Sequence, residues 1–492
     1  MGIIKGLKMQ IKSLTHNFFM YFLRMFTSFG FTLLIFPYVA RKIGVEGIGK
    51  VQYIETINIY FILFINLGIL GYGKREVAQI RDNFNKLNKL VNELLSILTI
   101  TTLFGSLFYF ILFLLTKDIF LKKLLSIYFI SILLNFISFE WFYIGIENQE
   151  YITKRNLLIK IISAILIFIF VKESKDIYLY AGILVLATAG SNIYNFINLK
   201  KHMKLKLVKY KEYKKHLKSL FFLFASSLAT TLAYNLDSIM IKNIIGDLEL
   251  GYYTLALKFG RLPLVIGTTL IAVLSPRLNN LLIQEKKKEF YNVWNKGINI
   301  MFIFYIPCLI GMWIISKSLV LIFGGIQFLP AVNIFKVFSV YILIMGFAVS
   351  TGVALSTHRR DKEYFISVMS GSILNVIFNI IFIPKIGAVG AAIATLITEV
   401  VAIIIRILLC RDIFQNIKIL NINMIKMLIS SLVMGVVVFY ITKIINNPLI
   451  QVIMSGILGG VIYFIGLFLL KEDLIYEVIN KLKEKYKNKG RV

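Results

Sequence analysis

The chain has 492 residues, of which 58% are apolar and 16% charged, with a mean hydropathy of +0.79 and a formal net charge of +30. A soluble domain carries about 25% charged residues, whereas the apolar residues here come in runs of about 20, the length of a bilayer crossing. That excludes a soluble enzyme, a disulfide-stapled secreted domain and a disordered chain; the 55 Lys and Arg against 25 Asp and Glu read as positive-inside connections beside anionic lipid, not as a nucleic-acid surface.

In chain order the apolar runs predict fourteen crossings, over residues 14–39, 51–72, 91–115, 124–146, 156–171, 178–199, 219–245, 252–283, 297–315, 331–357, 363–383, 388–410, 422–442 and 449–470. The fifth is short, and Ile152 is an alternative start for it. Lys5, Lys8 and Lys12 precede the first run, which is too long for a signal-peptide core and lacks a small-residue cleavage site, so a retained helix is expected. An even count places both termini on one side. Connections on that side hold 35 Lys and Arg, opposite connections hold 11, and 9 lie within the runs. This bias predicts a multi-pass membrane protein with both termini cytoplasmic. Cys308 and Cys410 each lie inside an apolar run and read as buried filler.

The most basic connection, 200–218, holds nine lysines and one acid, Glu212. Beyond the last crossing, Leu474, Ile475, Val478, Ile479, Leu482 and Tyr486 fall on one helical face with lysines opposite. Such a helix can lie on the inner leaflet.

An internal repeat runs through this pattern. Ile43-Gly44-x4-Gly49 follows the first crossing and Ile245-Gly246-x4-Gly251 follows the seventh, at an ungapped offset of 202; Ile386-Gly387-x2-Gly390 precedes the twelfth. Asn17, Tyr21, Arg24, Ser28 and Thr32 share one face of the first helix. Ser226, Thr230 and Tyr234 match Arg24, Ser28 and Thr32 at the same offset. The expected organisation is a six-helix lobe over 1–199, a basic linker over 200–218, a second six-helix lobe over 219–410, and two further helices with an amphipathic tail over 411–492. Transporters built from repeats hold their substrate between the halves.

Ionisable groups inside a bilayer cost about 2.5–3.5 kcal/mol each at the helix centre, so those that cannot snorkel mark function. Lys242, Lys426, Glu93 and Glu363 lie near helix ends; Lys160, Arg277 and Arg406 lie toward the cytoplasmic ends. Arg24 lies deep and on the polar stripe. Lys258 and Arg261 share a face with Thr254, ahead of a kink expected at Pro263 that frees a carbonyl near Phe259. Lys336 sits inside the tenth crossing. The central acids are Glu55, Glu140, Asp237 and Glu399. One reading makes these groups structural pairs, such as Arg24 with Glu55 or Asp237 with Lys258. The other is a basic cavity whose central cations Arg24, Lys258, Arg261 and Lys336 attract a phosphate or diphosphate, lined by Tyr21, Ser28 and Tyr234, with Asp237 and Glu55 as ion-coupling candidates.

Gly44-x4-Gly49-Lys50 imitates a phosphate-binding loop, but Val51 stands where Ser or Thr would hold magnesium and no strand precedes it. The zinc-protease helix and the nucleophile-elbow motif are absent from the sequence. His16, His202, His216 and His358 are too scattered for a metal cluster. The expectation is a transporter rather than an enzyme, with no cofactor and no metal.

Several segments resemble a known family. Phe36-Pro37-Tyr38-Val39-Ala40-Arg41-Lys42-Ile43-Gly44-Val45-Glu46-Gly47-Ile48-Gly49 and Leu67-Gly68-Ile69-x3-Gly73-x-Arg75-Glu76 resemble the N-terminal region of bacterial oligosaccharide flippases of the polysaccharide-transporter family. So do Glu140-Trp141-Phe142-Tyr143-x-Gly145-x-Glu147 with Arg155 and Lys160, Asp237-Ser238-Ile239-Met240-Ile241 with Gly251-Tyr252-Tyr253, and Ile383-Pro384-Lys385-x-Gly387-x2-Gly390-Ala391-Ala392-x3-Thr395-x3-Glu399. The resemblance implies the multidrug/oligosaccharidyl-lipid/polysaccharide exporter superfamily: an all-α membrane protein of two pseudo-symmetric six-helix lobes in a V, MATE-like, plus two C-terminal helices. It implies movement of undecaprenyl-diphosphate-linked sugar repeat units across the cytoplasmic membrane by alternating access, for surface polysaccharide of the O-antigen or capsule type. The partners implied are the lipid-linked oligosaccharide, membrane lipids and the polysaccharide polymerase machinery, with the chain acting as a monomer. The rival readings are a cation-coupled multidrug exporter of the same fold and a flippase for the peptidoglycan lipid precursor.

Overall fold

The computed structural model describes residues 14–415 and 421–477. Val478, Ile479, Leu482 and Tyr486 of the expected tail lie outside the described residues, as does the side chain of Tyr21. The described residues form helices and no strand. Ten of the helices are long and apolar enough to cross a membrane, or eleven when the bent pair 210–232 and 234–244 is taken as one span. The chain is a multi-pass membrane protein.

Contacts divide the chain into two compact units, Met1–Lys242 and Asn243–Val492. The first contains α1 (Leu14–Asn66), α2 (Ile69–Ile80), α3 (Phe84–Leu115), α4 (Ile119–Leu133), α5 (Glu140–Gly145), α6 (Gln149–Phe170), α7 (Ile177–Lys200) and α8 (Tyr210–Ile244), whose last turn reaches the division. Within it α1 packs on α3, α4 and α6, α7 on α4 and α6, and α2 on α5. The second contains α9 (Asp247–Gly260), α10 (Leu264–Ile283), α11 (Lys287–Ile314), α12 (Ser316–Phe323), α13 (Ala331–Thr357), α14 (Asp361–Leu409), α15 (Arg411–Phe414), α16 (Ile422–Ile444) and α17 (Pro448–Leu469). There α11 is central, touching α10, α13 and α16, while α13 also packs on α9 and α14. Several helices begin where an Asn or Asp carboxyl or amide oxygen accepts a first-turn N–H: Asn83, Asp118, Asn148, Asn421 and Asn447, the last followed by Pro448 at the first helical position.

The glycines of the repeat share one backbone state. Gly44 (φ 80°, ψ 175°), Gly246 (φ 110°, ψ −177°) and Gly387 (φ 65°, ψ −151°) all hold positive φ with extended ψ, a region that essentially only glycine enters. Gly44 breaks α1 and Gly387 breaks α14. The connection expected over residues 40–50 is therefore helical on both sides of one residue. At Gly387 an added Cβ would lie 2.9 Å from Oε2 of Glu249, the oxygen that accepts the Ala388 N–H at 3.0 Å.

Two further glycines set how closely α2 approaches α5. A Cβ on Gly73 would lie 2.5 Å from the Trp141 ring, and one on Gly145 would lie 2.6 Å from Val77. Trp141, Phe142 and Tyr143 are consequently almost fully buried beside Tyr72, Leu94 and Leu98. The break expected at Pro263 is present between α9 and α10. The Phe259 carbonyl is not released by it, because Leu262 N–H donates to it at 3.2 Å. In α8 the axis turns by 51° between Leu232 and Tyr234. Ser226, Thr230 and Asn235 there donate to the carbonyls four residues back, a habit that bends helices.

The basic connection after α7 is strapped to α3. Asn92 donates to the Lys204 carbonyl at 3.2 Å and accepts the Lys206 N–H at 3.0 Å, and Ser96 accepts the Val208 N–H at 2.8 Å. Glu93, 2% exposed, takes Lys215 at 2.9 Å and His216 Nε2 at 2.8 Å, and His216 Nδ1 meets the Tyr72 hydroxyl at 2.6 Å. These side chains satisfy main-chain groups that an unpaired segment would leave bare.

Gly387→Ala should destabilise the protein by about 1–3 kcal/mol through its backbone state, seen as a lower melting temperature of the detergent-purified protein. Gly456→Ala, mid-helix with no atom within 4 Å of the new Cβ, should stabilise by up to about 1 kcal/mol; equal shifts for the two would refute the strain assigned to Gly387.

Candidate functional site

In the first unit, α1 and α6 bring arginines to one carboxylate on α5. Arg24 and Ser28, one turn apart on α1, face the start of α6. Glu140 is the first residue of α5, where helix N-termini favour acids. Its Oε1 accepts Arg24 Nη1 at 3.2 Å and its Oε2 accepts Arg155 Nη2 at 3.1 Å. The Arg155 side chain is 1% exposed, that of Arg24 14% and that of Glu140 35%. Arg155 is held from behind: Nη1 donates to the Asn195 amide oxygen on α7, and Nη2 and Nε donate to Asn156 at 2.8 and 3.3 Å. Lys160 Nζ donates to Ser28 Oγ at 2.6 Å and lies 5.8 Å from the Phe31 ring centre. Ser28 in turn donates to the Arg24 carbonyl at 3.0 Å. The cluster thus gathers three bases and one acid on apolar helices.

The other candidates of this unit keep different company. Glu55 lies near the buried hydroxyls of Tyr128 and Tyr180. Asp237 is 1% exposed and lies near Tyr60. Tyr234 is half-buried at the bend of α8.

In the second unit Arg261 sits in the turn between α9 and α10 with its guanidinium 5.5 Å from the Phe338 ring centre and 5.2 Å from that of Tyr341. Arg261 and Arg406 are both charged neighbours of Glu399. Arg406 is 5% exposed. Its Nε donates to Ser367 at 2.9 Å, its Nη1 to the Ala348 carbonyl at 2.8 Å and to Thr351 at 3.4 Å, and the Tyr364 ring centre lies 5.1 Å away. A buried ladder of amides and hydroxyls continues along α14, Asn379 to Asn375 at 3.0 Å and Asn375 to Thr395 at 3.2 Å. Lys258 is half-buried on α9. The Lys336 ammonium lies 5.8 Å from the Trp313 ring centre.

Such a chain, helical, multi-pass and basic within its helices, matches the family of polysaccharide biosynthesis proteins over residues 14–282, more than half its length. The chain belongs to the polysaccharide biosynthesis protein family. The capsular polysaccharide biosynthesis protein CapF of Staphylococcus aureus is 24% identical over 386 residues, spanning 75% of this chain and 92% of CapF. The probable flippase AglR of Haloferax volcanii is 24% identical over 189 residues, 35% of this chain and 37% of AglR. Among solved structures, the lipid II flippase MurJ in an inward closed conformation superposes with a TM-score of 0.72 at 19% identity, covering 93% of this chain and 99% of that one. An inward-facing multidrug resistance MATE family transporter of the MOP superfamily gives 0.59 at 13% identity over 79% and 94%. At these identities the likeness to the two structures establishes a shared fold.

In this family member, sequence reasoning found Arg24 and Ser28 but not the company they keep. Arg24 pairs with Glu140, a partner that the sequence reading did not name. Arg155 lies one residue before the fifth crossing when that starts at residue 156 and inside it from the alternative start at Ile152, and α6 begins at Gln149. Lys160 and Arg406, candidates for snorkelling by position, turn inward to hydroxyls and carbonyls. The signal that could have found Arg155 was the short fifth run itself: a crossing extended to full length draws Arg155 inside.

Arg406→Met keeps the side chain's length and removes its hydrogen bonds, and should cost about 2–3 kcal/mol, read as a lowered unfolding midpoint in detergent. Lys336→Met loses only a ring contact and should cost at most about 1 kcal/mol; a larger loss at Lys336 than at Arg406 would contradict this ordering.

Proposed function

We propose that this protein is a flippase that moves undecaprenyl-diphosphate-linked oligosaccharide repeat units across the bacterial cytoplasmic membrane by alternating access, for surface polysaccharide synthesis. The observation that carries the reading is the Arg24–Glu140–Arg155–Lys160 cluster. Each such base costs about 2.5–3.5 kcal/mol to place in the membrane, and a fork of guanidinium donors suits phosphate oxygens. The names of CapF and AglR, a capsular polysaccharide biosynthesis protein and a probable flippase, support the passenger class. A cationic drug fits this cluster poorly, which weighs against the exporter reading.

Fourteen crossings are our count. α1 and α14, at 53 and 49 residues, would be roughly 75–80 Å long as single helices, far beyond a hydrocarbon core of about 30 Å, and Gly44 and Gly387 divide each into two. The division into equivalent halves, 1–199 and 219–410 about the 200–218 linker with 411–492 as an addition, is supported by the matching backbone of Gly44 and Gly246. Cytoplasmic termini follow from the distribution of Lys and Arg. Lys258, Arg261 and Lys336 of the second unit, with Tyr21, Ser28 and Tyr234, are assigned to the passenger's diphosphate and sugars. Asp237 and Glu55 are assigned to ion coupling, since the sequence carries no nucleotide-binding motif to drive transport.

Arg24→Ala and Arg155→Ala should each lower outward exposure of the lipid-linked sugar at least tenfold in cells with normal amounts of the protein in the membrane. Undiminished exposure in both would reject the assignment, and a changed drug susceptibility with unchanged surface polysaccharide would favour the exporter.

A further inference from the structure

Glu140 is the one acid of the basic cluster, and its placement is unusual. Its two oxygens are divided between two arginines on different helices, at 3.2 and 3.1 Å. Charge-assisted contacts of this kind settle nearer 2.7–2.9 Å, so Glu140 is held less tightly than the site could hold an anion. Of the three groups it is the most open, 35% exposed against 14% for Arg24 and 1% for Arg155. Arg155 stays in place when it leaves, anchored by Asn195 and Asn156. The backbone under Glu140 stays as well, because Trp141, Phe142 and Tyr143 are buried against α2 and α3. Only rotation of one side chain is needed.

We propose that Glu140 is a resident counter-anion: its carboxylate fills the site when no passenger is bound, and a phosphate oxygen of the passenger's diphosphate displaces it from Arg24 and Arg155. This rests on the flippase reading above and adds the specificity device. A carboxylate and a phosphate oxygen accept from the same guanidinium donors, so the two compete for one place. A weakly held monoanion does not displace a tethered carboxylate. A diphosphate brings more negative charge, takes both arginines, and comes within reach of Lys160, which already feels the charge of Arg24. Glu140 therefore favours diphosphates over single phosphates and keeps the bases compensated in between. It acts as a specificity-determining residue, not as a permanent strut.

The test is calorimetric titration of the full-length purified protein with inorganic pyrophosphate and, separately, orthophosphate. Glu140→Gln should bind pyrophosphate at least fivefold more tightly than wild type and orthophosphate tighter by a larger factor, so that discrimination between the two falls. Glu150→Gln, which removes an acid paired with His16 and Lys154, should change neither. Pyrophosphate binding by Glu140→Gln alone also supports the proposal. If wild type binds pyrophosphate, Arg24→Ala abolishes this, and Glu140→Gln binds no more tightly, the counter-anion is refuted while the flippase reading stands. If neither wild type nor Glu140→Gln binds pyrophosphate, both fall. Should Glu140→Gln not fold, Glu140→Asp, one methylene too short to span both arginines, should bind pyrophosphate more tightly than wild type; equal binding overturns the proposal.

Discussion

A charge inside a bilayer has to find an opposite charge, a dipole or water, and that requirement organises the interior of this protein. In the first unit Arg24 on α1 and Arg155 on α6 settle on Glu140, Asn195 and Asn156 take the Arg155 donors that the carboxylate does not, and Lys160 donates to Ser28. The energetic logic is one of partial compensation. A single carboxylate lowers the cost of placing the arginines in the membrane, and the amides of Asn195 and Asn156 fix the Arg155 side chain. In the second unit the same problem has a different solution. Arg406 is neutral-solvated, by Ser367, Thr351, the Ala348 carbonyl and the face of Tyr364, with Glu399 as its charged neighbour. A guanidinium so enclosed ties α14 to α13 through Ala348 and Thr351.

Glycine supplies the second organising element. The units are built from long helices, and one way to turn a long helix sharply is a residue that tolerates a state closed to side chains. Gly44, Gly246 and Gly387 hold that state at related places in the chain. Gly73 and Gly145 work differently, by allowing α2 and α5 to approach until Trp141 and Val77 fill the space a methyl would take. That contact buries the aromatic run directly behind Glu140, so the close packing of two short helices positions the carboxylate.

The polysaccharide biosynthesis family membership and the MurJ-like fold give these devices a common setting. The strap of residues 204–208 along α3, with Glu93, His216 and Tyr72 beneath it, turns the most basic connection into an ordered element. Nine lysines over 200–218 are repelled by one another, and side chains of α3 hold the segment against that repulsion, with Glu93 taking the ammonium of Lys215.

The sequence by itself determined the membrane class, because runs of about 20 apolar residues have no other stable solvent. It determined the repeat and the turn glycines, because positive φ with extended ψ restricts residue type locally. It also determined that Arg24 and Ser28 share a face, because helical periodicity is local. Only the tertiary structure decided which carboxylate Arg24 meets, since Glu140 lies 116 residues away in the chain and nothing local distinguishes it from Glu55. It decided that Arg155, Lys160 and Arg406 turn inward, because a long basic side chain near a helix end can reach either water or the interior, and the choice depends on what the neighbouring helices offer.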